Sequence, residues 1–494
     1  MRLVKHWLVA ASVTGVIAVA SPALAQQNAA PPNEVDVQAL VERLEKAEAE
    51  IARLRSELSE RESTGQSLYG KAAIAPASVN ATVGLQERLR ILEEKWRNFE
   101  ASQTAGGSSS GDGRPTVKVG GRIMVDAAYF GQDSVNRATV GDIEDGVDFR
   151  RARIKVEGDA YQNMYYRIEM DFARAGRPNF TDVYIGLRDL PVLGNLQIGH
   201  FKEPFSIEEL TSSRFITFME RALPIEAFSP ARNTGIMAYD HTPDLRWTWA
   251  IGWFRTNSDA WGDDVGDEGE QSVTARVTYN PWYVNDGEGV LHIGGAYSYR
   301  NADEGVFRWR SRPEIRMAAA GEGAVPRFVD TGRIPSTEAH LIGGEAALVY
   351  GPFSVQSEIM FVPTNQIGTG NDPLFVGTYI YASYFLTGEH RNYDREHGIF
   401  GRVTPNQNFL TVSGDGCTLY EGWGAWEVAL RWSYLDLNDE LVLGGRLHDL
   451  TLGINWYLNP YARLMFNYIH AFLDDPVFDD SDADIVGMRA QIDF

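Results

Sequence analysis

Basic side chains recur at alternate positions in two short stretches of the chain, and their type suits anion binding. Arg151, Arg153 and Lys155 alternate with apolar or small residues, and Arg167 and Arg188 continue the pattern further along. Successive side chains of a strand point to opposite faces, so these cations share one face of neighbouring strands. A guanidinium binds phosphate or carboxylate through two parallel hydrogen bonds. The pattern predicts a basic arc that attracts anions along an inner wall.

Carboxylates accompany these cations, and they leave a second interpretation open. Glu157, Asp159, Glu169 and Asp171 occupy the same face, where they would neutralise the cations in a salt-bridged wall. Both interpretations are compatible with the sequence, and we expect a weak anion preference rather than strict phosphate selection. The remaining candidate pore-lining or anion-binding cations lie on either side of the arc: Arg122, Lys202, Arg214, Arg221 and Arg232.

Alternation of apolar and polar residues runs from Pro115 to Phe494 with the period of two that is typical of β-strands. Faces rich in aromatic residues, such as that of Trp247 and Trp253, suit the headgroup level of a membrane. The pattern predicts an all-β fold, a 16-stranded antiparallel transmembrane β-barrel with an apolar outer face and a polar lumen. Strands are expected near residues 120–130, 147–160, 164–173, 181–190, 194–202, 233–242, 245–257, 272–282, 290–300, 339–351, 353–363, 375–387, 424–437, 446–458, 461–472 and 484–494.

The connections between these strands alternate in length, as expected when tight turns face the periplasm and long loops face outward. Residues 388–423 break the rule, because they are long where a short turn is expected. Either a strand pair lies within them or a strand elsewhere is miscounted. The tight turns are expected at 161–163, 243–244, 351–352 and 459–460, and the long polar connections at 131–146, 203–232, 258–271, 301–338 and 473–483.

The first residues have the composition of an export signal. In residues 1–25, Arg2 and Lys5 precede an apolar stretch, and Ala23 and Ala25 form a small-x-small cleavage site. The protein is therefore expected to leave the cytoplasm without an inner-membrane anchor and to reside in the bacterial outer membrane.

A helical extension is predicted between the signal peptide and the barrel. Within residues 26–100, apolar residues such as Leu40 and Leu44 recur at spacings of three and four with charged residues between them. This spacing favours an α-helical coiled coil in the periplasm and self-association; an amphipathic helix lying on its own barrel is the alternative. Residues 101–114 are rich in Gly and Ser and predict a flexible linker, and residues 115–494 form the barrel.

Charge and composition exclude several classes of function. The 494-residue chain has 45 basic and 67 acidic residues, a formal charge of −22, which becomes about −24 when Arg2 and Lys5 leave with the signal. Such a charge argues against nucleic acid as a partner. Cys417 is the single cysteine, so an internal disulfide is impossible. Nucleophile motifs are missing, and we expect no enzyme, no metal site and no cofactor, although four histidines lie near strands or turns: His241, His292, His340 and His470.

The long connection from His200 to Gly235 has a helical period of its own, with apolar residues that include Ile207, Phe215 and Phe218. A loop with this much apolar surface needs a surface to pack on, and the inner wall of a wide barrel supplies one. We therefore expect the loop to fold inward and narrow the pore.

Several segments resemble one known family. HFKEPFSIEELTSSRFITFMER followed by FSPARNTG in this loop, together with DFRRARIKVEGDA, ASYFLTGE, GAWEVALRWSYLDL and LGINWYLNP, resembles the phosphate-selective porin O/P family over roughly residues 118–494. The resemblance implies a trimeric sixteen-stranded outer-membrane porin with its third external loop folded inward. It also implies passage of small anions or phosphate along arginines and lysines.

Other partners follow from these expectations. A homotrimer, outer-membrane lipid, lipopolysaccharide and small solutes are expected, and the coiled coil suits contact with peptidoglycan or another envelope component. A water-filled channel for passive diffusion is the main functional prediction. A structural envelope tether, in which the coiled coil is the main functional part, is the alternative.

Overall fold

The computed structural model of the protein describes residues 115–494 apart from short gaps at 174–177, 257–258, 260, 264, 266–269, 303–304, 319–323, 369–371, 413–418, 421 and 440. The predicted signal peptide, coiled coil and linker lie outside the described residues.

The described residues form sixteen barrel strands, and each pairs antiparallel with its neighbours in sequence. The last strand pairs with the first, from Arg122 opposite Asp493 to Gln132 opposite Ala483, and this pairing closes the barrel. The first eight strands are β1 Lys118–Gln132, β2 Gly146–Tyr161, β3 Met164–Asp171, β4 Asn179–Leu190, β5 Gly194–Lys202, β6 Arg232–His241, β7 Trp247–Arg255 and β8 Gln271–Val284. The second eight are β9 Gly289–Asn301, β10 Ile334–Tyr350, β11 Phe353–Gln366, β12 Leu374–Phe385, β13 Ala425–Asp439, β14 Val442–Asn459, β15 Ala462–Asp474 and β16 Ser481–Asp493.

The predicted barrel is confirmed, with a described strand at each of the sixteen expected positions. Side chains alternate between a buried inner face and an exposed outer face. Trp247, Ile251 and Trp253 of β7 are 46%, 49% and 42% exposed, whereas Thr248 and Phe254 of the same strand are buried. An apolar outer face suits lipid, and closure leaves no open sheet edge within it.

The two ends of the barrel differ in their connections. We call the end where β1 begins and β16 finishes the terminal end, and the opposite end the loop end. Most terminal-end connections are short, such as 162–163 and 351–352, whereas 203–231 and 302–333 at the loop end are long. Helices are few: α1 Ser134–Val140, α2 Ile207–Leu210, α3 Leu223–Phe228 and a 3₁₀ turn Asn285–Gly287. None of the described helices has the length and apolar character needed to cross a membrane.

The connection 203–231, which we call the inner loop, folds into the lumen as predicted. Its Phe205, Phe218 and Met219 are fully buried and belong to one apolar cluster with inward residues of β10 to β16. Part of the 302–333 connection joins the cluster through Trp309 and Ile315. Burial of each large apolar side chain contributes about 2–3 kcal/mol, so the lumen beside β10 to β16 is filled by packed side chains.

Inward-facing glycines make room for this packing. A Cβ on Gly377 would lie 2.6 Å from the Pro224 ring, and one on Gly343 would lie 2.9 Å from Phe205. A Cβ on Gly453 would lie 3.1 Å from the Phe218 ring, and one on Gly487 would lie 3.0 Å from the Met219 sulfur. A methyl group at Gly377 or Gly343 would force a neighbour to move, and one at Gly453 or Gly487 would require a shift of a few tenths of an ångström, so the wall is shaped to the inner loop.

The connection that broke the length rule enters the lumen from the terminal end, and we call its residues 388–412 the terminal segment. It adds no strand to the barrel, so the predicted strand count is right. It does contain a small strand pair, Tyr393–Asp394 with Ile399–Phe400, and a further pair joins Thr411–Val412 to Leu419–Tyr420. Phe400 and Tyr393 pack with Ile207 of the inner loop. Segments from both ends therefore meet inside the barrel.

Candidate functional site

Two cavities remain beside β1 to β8, where the inserted segments do not fill the lumen. The large cavity has a volume of about 490 Å³ and the small cavity about 290 Å³. The large cavity is lined by nine of the ten cations singled out in the sequence: Arg122, Arg151, Arg153, Lys155, Arg167, Lys202, Arg214, Arg221 and Arg232.

Four of these cations also line the small cavity: Arg151, Arg153, Arg221 and Arg232. The small cavity includes Asp148 and Arg150 from the loop-end part of β2, whereas the large cavity includes Tyr239 and His397 near the terminal end. The four shared cations therefore lie where the two cavities adjoin.

Some cavity cations are fully balanced by carboxylates. Arg122 lies 2.9 Å from Glu169, and Arg153 lies 3.2 Å from Glu169 and 2.7 Å from Asp171. Arg232 forms a two-pronged pair with Asp182, with donor to acceptor distances of 2.9 and 3.0 Å. These residues match the salt-bridged wall that the sequence left open.

Other cavity cations share carboxylates, and their groups keep a positive surplus. Lys155 and Arg167 share Glu157, and Lys202 and Arg221 share Glu209. Two further groups show the same imbalance. Arg214 and Arg402 share Asp493. Arg150, Arg151 and Arg489 share Glu220 and Asp126. Among the described residues, these four groups contain nine cations and five carboxylates.

Arg151 is the least neutralised of the cations shared by the two cavities. Its side chain is buried, with 4% of the residue exposed, and its Nε has no hydrogen-bond partner within the described part of the chain. Its Nη1 lies 4.0 Å from Glu220 and 3.5 Å from the Met124 sulfur, a weak acceptor. Glu220 is meanwhile bound at 2.7 Å by both Arg150 and Arg489. A buried guanidinium with an unused donor is a favourable place for an oxyanion.

Sequence reasoning missed two cations of the small cavity. Arg150 lies out of the alternation, because the register of β1 and β2 shifts between Met124 and Val125 and turns its side chain inward to Glu220. Arg316 comes from the 302–333 connection and forms no ion pair with the described residues. Burial and the neighbouring Arg150 lower the pKa of Arg316 to about 10. Nothing in the local pattern distinguishes either residue.

Arg188, the tenth predicted cation, lies apart from both cavities. It pairs with Asp159 at 2.5 Å, where both side chains are nearly half exposed, and its guanidinium stacks 4.4 Å from the Tyr165 ring centroid. Exposed pairs of this kind contribute little to stability or to a buried site.

The terminal segment supplies acidic and titratable groups that sequence reasoning did not assign. Asp394, Glu396 and His397 line the large cavity. The His397 Nδ1 lies 2.9 Å from an Asp394 oxygen, and this hydrogen bond raises the pKa of His397. The one signal in the sequence was the unexpected length of residues 388–423.

Among the described residues, the one group of His, Cys, Asp and Glu side chains whose possible metal-ligand atoms all lie within 4.8 Å of one another is His470, Asp482 and Asp484. These residues alternate with the buried inward residues of β15 and β16 and so lie on the outer face. None of these three residues lines either of the two cavities.

Comparisons with known proteins agree with this geometry. A family model described as "Phosphate-selective porin O and P" matches residues 117–494. An uncharacterized protein of Caulobacter vibrioides is 29% identical over 404 residues, which cover 78% of this chain and 75% of the relative. Porin O of Pseudomonas aeruginosa is 26% identical over 414 residues, covering 77% of this chain and 88% of the relative.

Solved porin structures are more distant. An anion-selective porin from Comamonas acidovorans has a TM-score of 0.47 and 14% identity, covering 77% of this chain and all of that one. The DcaP channel of Acinetobacter baumannii has a TM-score of 0.45 and 11% identity, covering 78% of this chain and 99% of that one. The family match spans the whole described barrel, so the chain belongs to the phosphate-selective porin O and P family and forms a channel for small solutes in the bacterial outer membrane.

Proposed function

We propose that the channel prefers anions, and that Arg151 is where a permeating oxyanion is held most directly. The observation that carries this proposal is the unused Nε donor of a buried arginine at the boundary of the two cavities. The positive surplus of the neighbouring groups supports it, because charges that line a confined aqueous path raise the local anion concentration. The carboxylates beside these cations keep the preference weak.

The test compares Arg151→Ala with Arg188→Ala in planar bilayers. Both changes remove one arginine, but Arg188 lies apart from the cavities and serves as the matched control. Loss of a hydrogen bond to a charged group is expected to raise the phosphate concentration that half-blocks the chloride current about tenfold in Arg151→Ala. The reversal potential in a potassium chloride gradient should shift toward cations, most visibly at low salt. Equal behaviour of the two variants contradicts the proposal.

The barrel should tolerate this substitution. Glu220 keeps Arg150 and Arg489 when Arg151 is removed, so no buried carboxylate is left without a cation. Heat-modifiable mobility on a gel confirms that the variant is folded before its current is recorded.

We infer further that the assembled protein is a homotrimer whose terminal end faces the periplasm. The heptad spacing within residues 26–100 supports self-association, and short turns at the terminal end support this orientation. Lipopolysaccharide is the expected lipid partner at the loop end, and peptidoglycan or another envelope component the expected partner of the extension.

A further inference from the structure

The large cavity has charges of opposite sign on two of its sides. On one side, Lys155 of β2 and Arg167 of β3 share the single carboxylate Glu157 and keep a positive surplus. On the other side, the terminal segment presents Asp394 and Glu396 with one histidine, His397. Among the side chains of this segment that line the cavity, two carboxylates outnumber the single histidine. The neighbouring Arg395 lines neither cavity and donates to the Asp244 backbone oxygen at 2.6 Å, and Arg276 of β8 is paired with Glu345.

The acidic side is held firmly in place against β7 and β8. The Arg276 guanidinium of β8 donates to the backbone oxygens of His397 and Gly398, at 3.2 and 2.7 Å. A Cβ on Gly398 would lie 2.7 Å from the Thr278 hydroxyl and 3.3 Å from that of Thr248, so the turn lies directly on these strands. The turn is therefore a fixed part of the wall of the cavity that the basic residues of β2 and β3 also line.

Glu396 is the carboxylate of this turn that is available to a solute. Its side chain is exposed and forms no ion pair with the described residues, whereas Asp394 is engaged by His397. Tyrosines connect the turn to the basic side: the Tyr239 ring lies 6.3 Å from the His397 ring, and its hydroxyl lies 2.8 Å from that of Tyr165, two residues before Arg167. The two charged sides thus belong to one continuous surface of the cavity.

We propose that the channel favours solutes that carry both an acid group and an ammonium group over simple anions of similar size. This inference rests on the proposed anion preference and narrows it to a substrate class. The acid group is attracted to Lys155 and Arg167, and beyond them to the unused donor of Arg151 on the same cavity. The ammonium group is attracted to Glu396. Amino acids and aminoalkyl phosphates have this chemistry.

The test measures block of the chloride current by two matched probes, 2-aminoethyl phosphate and ethyl phosphate. Ethyl phosphate has the larger net negative charge, so a site that recognises anions alone binds it more tightly. We expect the opposite order in the native protein, with a half-blocking concentration about threefold lower for 2-aminoethyl phosphate. A factor of this size is what one exposed ion pair contributes to binding.

The variant Glu396→Gln should abolish this advantage and leave ethyl phosphate the stronger blocker. Because Glu396 is exposed, the substitution leaves the packing intact. Glu288→Gln is the matched control, since Glu288 is an exposed carboxylate in a terminal-end connection and lines neither cavity; it should keep the native order.

Two outcomes separate this inference from the proposed function. If both phosphates block but ethyl phosphate is stronger in the native protein, the inference is wrong and the anion preference stands. If neither phosphate blocks, both are wrong.

Discussion

At the scale of single residues, the arginines of the channel differ by how completely carboxylates neutralise them. Arg153 contacts two carboxylates, whereas Arg151 has one at 4.0 Å and an Nε without a partner in the described chain. A paired guanidinium has already replaced its water with protein oxygens, so a permeating anion gains little from it. The number of lining arginines is therefore a poor measure of anion affinity.

His397 should make the ion preference depend on pH. The hydrogen bond that His397 donates to Asp394 raises the pKa of the histidine above the usual 6.5, and this effect outweighs burial and the nearby Arg167, which lower it. The other groups around the ring are Glu396 on the same turn, Tyr239 of β6, and Arg276 of β8, which binds its backbone oxygen. Protonated His397 adds a positive charge to the cavity, so anion preference should fall as pH rises above 6.5.

The measurement is the reversal potential in a potassium chloride gradient from pH 6 to pH 9, where solvent-exposed carboxylates stay ionised. His397→Gln should flatten the profile, whereas His390→Gln, a neighbour on the terminal segment that lines neither cavity, should preserve it. The stability of the protein should depend on pH in the same direction. Because folding raises the pKa of His397, this residue stabilises the folded protein below pH 6.5, and the contribution is lost as pH rises through the folded-state pKa. An unchanged profile in His397→Gln would contradict this prediction.

At the scale of elements, the inner loop is fixed by buried carboxylates as well as by apolar packing. Glu203 at its start accepts from Asn233 at 2.6 Å, Ser272 at 3.1 Å and Arg300 at 3.0 Å. Glu358 of β11 accepts from the Ser206 hydroxyl and the Glu208 amide, both at 3.0 Å. A buried carboxylate without these donors is costly, so the start of the loop has one stable position on the wall.

Shortening the inner loop between Glu208 and Ala227 should raise single-channel conductance. This stretch contains Phe218 and Leu223, which are fully buried in the lumen, and a sixteen-stranded barrel without them has room for a wider aqueous path. We expect an increase of about twofold or more. Removal of residues 476–479, an exposed part of another loop-end connection, is the control and should leave conductance unchanged. Native conductance in the shortened-loop variant would show that this loop does not limit the pore.

At the scale of the whole molecule, net charge and channel charge have opposite signs. The chain has a formal charge of −22, yet the residues that line the large cavity include ten Arg and Lys side chains and five Asp and Glu side chains. Only the charges that line the lumen act on a permeating ion at close range, because salt screens the others over about 8–10 Å. An acidic protein can therefore conduct anions.

Deleting residues 26–113 should weaken assembly and leave the conductance of each pore similar. The reason is that the described barrel closes on itself through β1 and β16, whereas the heptads predict association between chains. Light scattering of the purified protein measures assembly, and bilayer recording measures conductance. A monomeric full-length protein would contradict the predicted trimer, and loss of conductance on deletion would favour the tether alternative.

The sequence by itself determined the strands and their faces. Expected strands at 290–300 and 375–387 correspond to Gly289–Asn301 and Leu374–Phe385, because alternation with a period of two depends only on neighbours along the chain. The inward fold of the inner loop was equally predictable, since its apolar residues had no other surface to bury against. Nine of the ten chosen cations line the large cavity. Those on strands do so because of the alternation, and Arg214 and Arg221 do so because the inner loop folds inward.

Tertiary structure alone decided which of these cations remain available to a solute. Arg122 and Glu169 lie 47 positions apart, and Arg431 and Glu314 lie 117 apart. Such partners depend on strand register and on which segments fill the lumen. The same holds for the terminal segment, whose length was visible in the sequence but whose place beside β7 and β8 was not. Which charged side chains pair inside a closed barrel depends on their distance in space, and the local sequence pattern does not determine that distance.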